Sequence, residues 1–142
     1  MTFSAVSAHR TGGGFTTIPF AGGATSRTCD LKKLQNGAED VLGVEIVPAG
    51  SYTELRLTVT SATLYFANPS DGPACAPVIA APGGASAAVT IPSGTVRLNR
   101  PFSLAADATT TVLLDIDGDG SIHETTPGAY SMTPVITVVS VE

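Results

Sequence analysis

The side chains best suited to chemistry lie in one acidic stretch of the sequence and are Asp115, Asp117, Asp119, His123 and Glu124. The three aspartates occupy alternate positions and Gly120 follows them, as in the first half of a calcium-binding loop. The second half departs from that pattern, because Thr126 stands at the twelfth position, where a bidentate acid belongs. His123 beside these acids would add a nitrogen ligand or simply become more basic. One interpretation of the stretch is therefore a divalent metal site, with calcium as its ion.

The same stretch also has a purely structural interpretation. Val112, Leu114 and Ile116 alternate with the acids, so a strand would turn these apolar side chains to the core. Asp115 and Asp117 would then lie in solvent just before a glycine turn. This interpretation needs no cofactor, and the pattern leaves both open.

Groupings that could support catalysis are weak in this sequence. Nucleophilic catalysis needs a Ser or Cys together with a base and an orienting group. The only imidazoles are those of His9, which precedes a glycine-rich turn, and His123. Paired carboxylates such as Asp115 and Asp117 would suit glycoside hydrolysis, but that reaction also needs a groove with aromatic platforms, and the chain has no Trp. The sequence thus predicts no enzyme activity and no catalytic residue.

The two cysteines, Cys29 and Cys75, predict a disulfide. Both lie in stretches rich in Gly, Pro and Ser that are typical of loops, where a buried free thiol is less expected. A bond between them would close a loop of about 45 residues and would indicate an oxidising compartment. Two buried thiols are the alternative, and two isolated cysteines do not make a zinc site.

Length and composition predict a single domain over residues 1–142 with an all-β fold. Hydrophobic residues form 43% of the chain and charged residues only 13%, while 15 Gly and 10 Pro favour turns. The net charge is −5 and the basic residues form no cluster beyond Lys32 and Lys33, which argues against nucleic-acid binding. No apolar run approaches the roughly 20 residues that span a bilayer, so we expect no membrane-spanning segment.

Period-two alternation recurs between turn residues, which is typical of an antiparallel β-sandwich. In 52–60, for example, Leu55, Leu57 and Val59 face one way while polar residues face the other. The predicted strands are 2–9, 14–20, 43–47, 52–60, 62–66, 87–91, 95–98, 101–104, 109–117 and 130–141. Between them, the glycines at 12–14 predict a hairpin turn, since no Lys-Ser/Thr pair or helix follows them as in a phosphate loop.

Two segments depart from the strand pattern. Only 30–42 has helical character, in which Asp30 would cap one short turn and Asn36 and Gly37 would end it. The stretch 67–86, rich in Pro, Gly and Ala, is predicted to be a loop inserted between strands.

The aromatic residues are predicted to have structural roles. Phe15, Phe20, Phe66 and Phe102 fall in strand patterns and are expected in the core. Tyr52 stands at a strand entrance, where its hydroxyl is expected to bond the backbone across a corner.

Three stretches carry a resemblance to a known family: PAGSYTELRLTV at 48–59, VRLNRPFSLAADATTTVLLDID at 96–117 and SIHETTPGAYSMTPVITV at 121–138. With the opening TFSAVSAHRTGGGFTTIPF and the DLKKLQNG turn, they resemble the bacterial family known as domain of unknown function 4382. The resemblance covers most of the chain outside 67–86. It implies an exported protein, often a lipoprotein, with a transthyretin-like or immunoglobulin-like Greek-key sandwich, and it implies no activity. Similar family segments keep an Asp-x-Asp pair without a full calcium loop, which favours the structural interpretation of the acidic stretch.

Members of that family usually begin with one more strand than this sequence does. A sandwich that lacks this strand would expose unpaired backbone groups, and 2–9 or 130–141 is predicted to lie at the open edge. Pro134 supports an edge position because proline cannot donate to a central ladder. Another copy or another protein would add a strand there, giving a homo-oligomer or, head to tail, a fibre. The alternative is that the strand is missing only from the sequence as given, or that 130–141 is buried.

These observations predict a non-catalytic extracytoplasmic β-sandwich module with a structural or protein-interaction role, at the cell surface or in a secreted assembly. A carbohydrate- or calcium-binding module is the alternative, and a hydrolase is the third candidate.

Overall fold

The computed structural model describes the whole chain from Met1 to Glu142, and β-strands dominate it. The strands are β1 (Thr2–Arg10), β2 (Phe15–Thr17), β3 (Arg27–Cys29), β4 (Gly50–Tyr65), β5 (Cys75–Ala76), β6 (Ser86–Thr90), β7 (Thr95–Leu98), β8 (Phe102–Leu104), β9 (Val112–Asp117), β10 (Ile122–Thr126), β11 (Ala129–Met132) and β12 (Val135–Val141). The helical segments are single turns at Ala21–Gly23, Leu31–Leu34 and Gly118–Ser121. None of these turns has the length and apolar character that crossing a membrane requires. The prediction of an all-β fold is confirmed.

The 16-residue strand β4 is the centre of the main sheet. One of its edges pairs antiparallel with β1, and the other pairs in turn with β8, β7 and β6. Its alternation is the one that the sequence predicts, since Leu55, Leu57 and Val59 are buried. The two strands predicted at 52–60 and 62–66 are one continuous strand.

The first strand, β1, lies inside the main sheet. Beyond its pairing with β4, it pairs with β2 through Ser7, Ala8 and His9 and with β3 through Thr2 and Phe3. The glycine hairpin between β1 and β2 forms as predicted. Residues 2–9 are therefore not the open edge, and that part of the edge prediction is wrong.

A second, small sheet consists of β9 and β12 alone, paired antiparallel. Ile136 on β12 is buried, and Leu114, Ile116 and Val138 pack against the same core as the apolar face of the main sheet. The small sheet thus forms the second layer of the sandwich. One strand pair, β6 with β11, is parallel. The Greek-key connectivity stays a prediction.

Several local predictions need correction. The segment 130–141 is two strands, because Thr133 and Pro134 interrupt it, and only 135–141 joins the small sheet. The segment 43–47 is not a strand, since its one bridge joins Gly43 to Phe20. The short strands β3, β5 and β10 carry no sequence alternation of their own and exist because neighbouring strands pair with them.

The helical prediction for 30–42 holds only for one turn. The carboxylate of Asp30 accepts a hydrogen bond from the backbone of Lys32 at 3.0 Å, which caps the turn Leu31–Leu34. Asn36 follows in the left-handed region with φ 57°, a conformation that does not continue a helix. The loop predicted at 67–86 is irregular apart from the two-residue strand β5.

Tyr52 forms the predicted corner. Its hydroxyl donates to the carbonyl of Pro48 at 2.7 Å, and its ring stacks on Phe102 with centroids 5.2 Å apart. Only 1% of the residue is exposed. The contact fixes the entry of the chain into β4.

Two of the four phenylalanines assigned to the core lie on the surface instead. Phe15 is 44% exposed and Phe66 is 57% exposed, whereas Phe20 is buried. Phe66 contacts Tyr130 at the far end of the main sheet. The prediction is wrong for Phe15 and Phe66 because period-two alternation shows which residues share a face and does not show which face is covered.

Candidate functional site

The structure distributes the five predicted metal ligands over a strand, a helical turn and a second strand. Asp115 is exposed on β9 and Asp119 is exposed in the turn Gly118–Ser121. His123 and Glu124 are exposed on β10, and the Glu124 carboxylate accepts a hydrogen bond from the backbone of Gly128. No group of three or more His, Cys, Asp or Glu side chains is arranged to hold a metal ion. The structure does not bring the five side chains together.

Asp117 instead organises the junction between the two sheets. Its Oδ1 accepts a hydrogen bond from the backbone of Gly120 at 2.7 Å, which caps the helical turn. A side chain at Gly120 would collide with this carboxylate, so a substitution there would displace the capping side chain. The fully buried Ser121 donates to the carbonyl of Asp117 and accepts from the backbone of Val135 at 2.8 Å. Sequence reasoning missed Ser121, because a single serine after a glycine carries no signal of burial.

We expect Asp117→Ala to lower the free energy of unfolding by about 1 kcal/mol, because the turn loses its cap. Urea denaturation in the presence of a chelator measures this loss. Asp115→Ala is the matched control and should change stability by less than about 0.5 kcal/mol, since an exposed carboxylate is removed. Repeating the series with millimolar calcium tests the metal interpretation. If a calcium site is present, calcium should raise the free energy of unfolding of the wild type and should not raise that of Asp117→Ala. Equal losses in the two variants without calcium would contradict the capping role.

The disulfide expected from the sequence is present and joins Cys29 on β3 to Cys75 on β5. An ion pair next to it connects Arg27 to Asp40 at 3.1 Å, and the second oxygen of Asp40 accepts from the backbone of Cys75 at 3.0 Å. The Arg27 side chain is only 10% exposed, and its Nε has no hydrogen-bond partner. This corner therefore fastens the segments before β4 and before β6 to the main sheet. Nothing in the sequence pairs Arg27 with Asp40, because their contact is tertiary.

The amino group of Met1 lies at the same corner and donates to the carbonyl of Cys29 at 3.1 Å. Burial lowers the pKa of this amino group, and the nearby carboxylate of Asp30 opposes the shift. The start of β1 is thus packed closely against the disulfide.

The solvent face of the main sheet carries Arg56 and Arg97, and Arg56 forms an ion pair with Glu54 on the same strand at 3.3 Å. Arg56 on β4 stands opposite Arg97 on β7, and its guanidinium lies 4.1 Å from the centre of the Phe15 ring. The His9 ring contacts the same phenylalanine, with centroids 4.8 Å apart. These contacts explain why Phe15 is stable on the outer face: the arginine covers it by a cation–π interaction.

Each strand of the small sheet has one edge without a hydrogen-bonded partner strand, and β12 also lies close to β7 of the main sheet. β9 pairs only with β12, and β12 pairs only with β9, so each strand has a strand partner along one side. Val135 and Val139 on β12 are 38% and 58% exposed. Open edges with exposed apolar side chains are sites where another strand can add. They are the candidate functional site of this molecule.

Together, the two unequal sheets, the disulfide and the open edges define a β-sandwich with one internal disulfide. The family model described as Domain of unknown function (DUF4382) matches residues 1–134, so the chain belongs to this family, as the resemblance predicts. No curated protein and no solved structure matches the chain. The family match ends just before β12, the strand that completes the small sheet.

Proposed function

We propose that the chain is a non-catalytic extracytoplasmic module that acts by binding other protein chains, its own copies included, through open strand edges. The observation that carries this proposal is the isolated pairing of β9 with β12, which leaves an open edge on each strand. Unpaired backbone donors and acceptors along such an edge are a template for β-augmentation.

The proposed location outside the cytoplasm is supported by the disulfide. Cys29 and Cys75 are both nearly fully buried and joined, and stable disulfides form in oxidising compartments. The family membership adds no activity, because the family is described only as a domain of unknown function.

Self-association through β12 tests the proposal. We expect the mass measured by light scattering to rise with protein concentration, and Val135→Lys to weaken this association roughly tenfold or more, because lysine on an edge strand opposes pairing with another strand. Val78→Lys is the matched control, since Val78 is 86% exposed in the loop before β6 and should associate like the wild type. A wild type that stays monomeric at all concentrations, or equal effects of both substitutions, would exclude assembly through β12.

A carbohydrate-binding module is the second candidate, and one observation favours it. Phe66 is 57% exposed and its ring lies 6.2 Å from that of Tyr130, so an aromatic surface is available. Hydroxyl side chains lie nearby in a shallow groove that includes Thr90, Thr125 and Ser131. The open edges of β9 and β12 offer backbone hydrogen-bonding groups along whole strands, whereas the aromatic surface consists of two rings. The protein-interaction role is therefore the main proposal.

A further inference from the structure

A large open cleft separates the apolar face of the main sheet from β9. Its volume is about 2270 Å³, and most of its lining residues are hydrophobic. Leu55 and Leu57 of the main sheet line this cleft together with the residues of β9, so the two layers do not fill the space between them along this side. Protein interiors are normally packed without such voids. The cleft is therefore space that another group can fill.

The open edge of β9 forms one wall of this cleft. All residues of β9 line the cleft, whereas Val139 is the only residue of β12 that does, so the cleft lies on the side of β9 away from β12. Backbone hydrogen bonds connect the segment 112–117 to β12 and to no other strand. An entering strand can therefore take main-chain hydrogen bonds from β9 and place alternate side chains in the cleft.

Another part of the cleft lining is apolar and exposed. The segment 38–47 lines the cleft, and its Val41, Val44 and Ile46 are 53%, 71% and 95% exposed. Exposed apolar side chains of this size, grouped in one place, indicate a surface that a partner covers. Pockets that bind small molecules have volumes of roughly 300–1,000 Å³, and this cleft is larger. A small molecule would therefore cover only part of the cleft and would leave most of these side chains exposed.

The charge of the cleft identifies the kind of segment that fits. Eight of the chain's twelve acidic residues line the cleft, among them Asp107, Asp115, Asp117 and Asp119 around β9, whereas Lys32 is its only basic side chain. An apolar floor with an acidic rim favours an apolar strand whose flank is basic, since complementary charge guides the partner and rejects acidic ones.

We propose that the cleft binds an extended segment of another protein, about six residues long with alternating apolar side chains and flanked by Lys or Arg, which pairs with the open edge of β9. This inference rests on the proposed role as a protein-interaction module and names the partner of its second edge. The length follows from the six residues of β9.

Fluorescence anisotropy with a labelled peptide of sequence KKTVTITVT tests the inference on the full chain. We expect saturable binding, and roughly tenfold or more weaker binding of EETVTITVT, in which the basic flank is acidic. The scrambled peptide KKVVITTTT has the same composition without alternation and should also bind at least roughly tenfold more weakly. Amide hydrogen exchange should slow in residues 112–117 when KKTVTITVT is bound.

Two protein variants locate the binding. Asp115→Lys with Asp119→Lys changes two exposed side chains and removes part of the negative charge beside β9, so we expect it to reduce the preference for the basic over the acidic peptide. Ala106→Trp places a large side chain at the cleft lining and should abolish binding. Ala85→Trp is the matched control, because Ala85 is exposed and lies outside the cleft. No binding by the wild type, no preference for the basic flank, or equal effects of the two tryptophans would overturn the inference.

Failure of this inference is distinguishable from failure of assembly through β12. Val135→Lys should keep full peptide binding, because Val135 does not line the cleft. Self-association without peptide binding would leave the interaction role intact and overturn the cleft as its site. Peptide binding by a chain that stays monomeric would support the cleft and exclude assembly through β12.

Discussion

We expect the double variant Cys29→Ser/Cys75→Ser to lose about 3–4 kcal/mol of its free energy of unfolding. The disulfide joins residues 46 positions apart, and removing it frees the unfolded chain to occupy far more conformations. In the native state the bond also holds β3 to β5, where the backbone N–H of Cys75 donates a hydrogen bond to the carboxylate of Asp40. Urea denaturation of the wild type and the double variant, monitored by circular dichroism, measures the loss.

Chemical reduction of the wild type is the control for this prediction. The reduced wild type and the double variant should agree within about 1 kcal/mol, because both lack the same cross-link and keep side chains of similar size. A variant as stable as the oxidised wild type would show that β3 and β5 remain joined without the bond. The Arg27–Asp40 ion pair beside the two cysteines would then be enough to hold this corner together.

The second large effect is expected at Tyr52. Tyr52→Ala should cost about 3–5 kcal/mol, because it leaves a cavity where a buried aromatic ring stacks on Phe102. Tyr52→Phe is the matched variant that keeps the ring and removes only the hydroxyl. It should cost about 1 kcal/mol, the net contribution of the hydrogen bond to the Pro48 carbonyl.

Thermal and urea unfolding of both Tyr52 variants separate packing from hydrogen bonding. Equal losses in the two variants would show that the hydroxyl, and not the ring, stabilises the corner. A loss below about 1 kcal/mol for Tyr52→Ala would show that the entry into β4 is not part of the cooperative core. Either result would contradict the buried corner.

The sequence by itself determined which residues share a face wherever alternation is long. In 52–60 the spacing of Leu55, Leu57 and Val59 is enough to predict one buried face, because side chains in a strand alternate with a period of two. It also indicated the disulfide between Cys29 and Cys75 and the corner at Tyr52, since each depends on residue type and local turn chemistry.

Contacts distant in sequence were decided only by the tertiary structure. Short strands such as β3 and β5 have too few residues to show a period, and they exist because a neighbouring strand satisfies their backbone groups. The segment 43–47 has the pattern of a strand and is not one, because no strand lies beside it to pair with.

The candidate site depends on the same distinction. The acidic stretch beginning at Asp115 is visible in the sequence, but the structure turns Asp117 into a helix cap and directs its neighbours apart. The open edge of β9 and the cleft beside it have no sequence signal. A strand is at an edge when no other strand pairs with one of its sides, and a local sequence pattern does not show which strands pair. Which strands pair depends on burial and backbone hydrogen bonding summed over the whole fold. A local stretch of sequence does not contain that information.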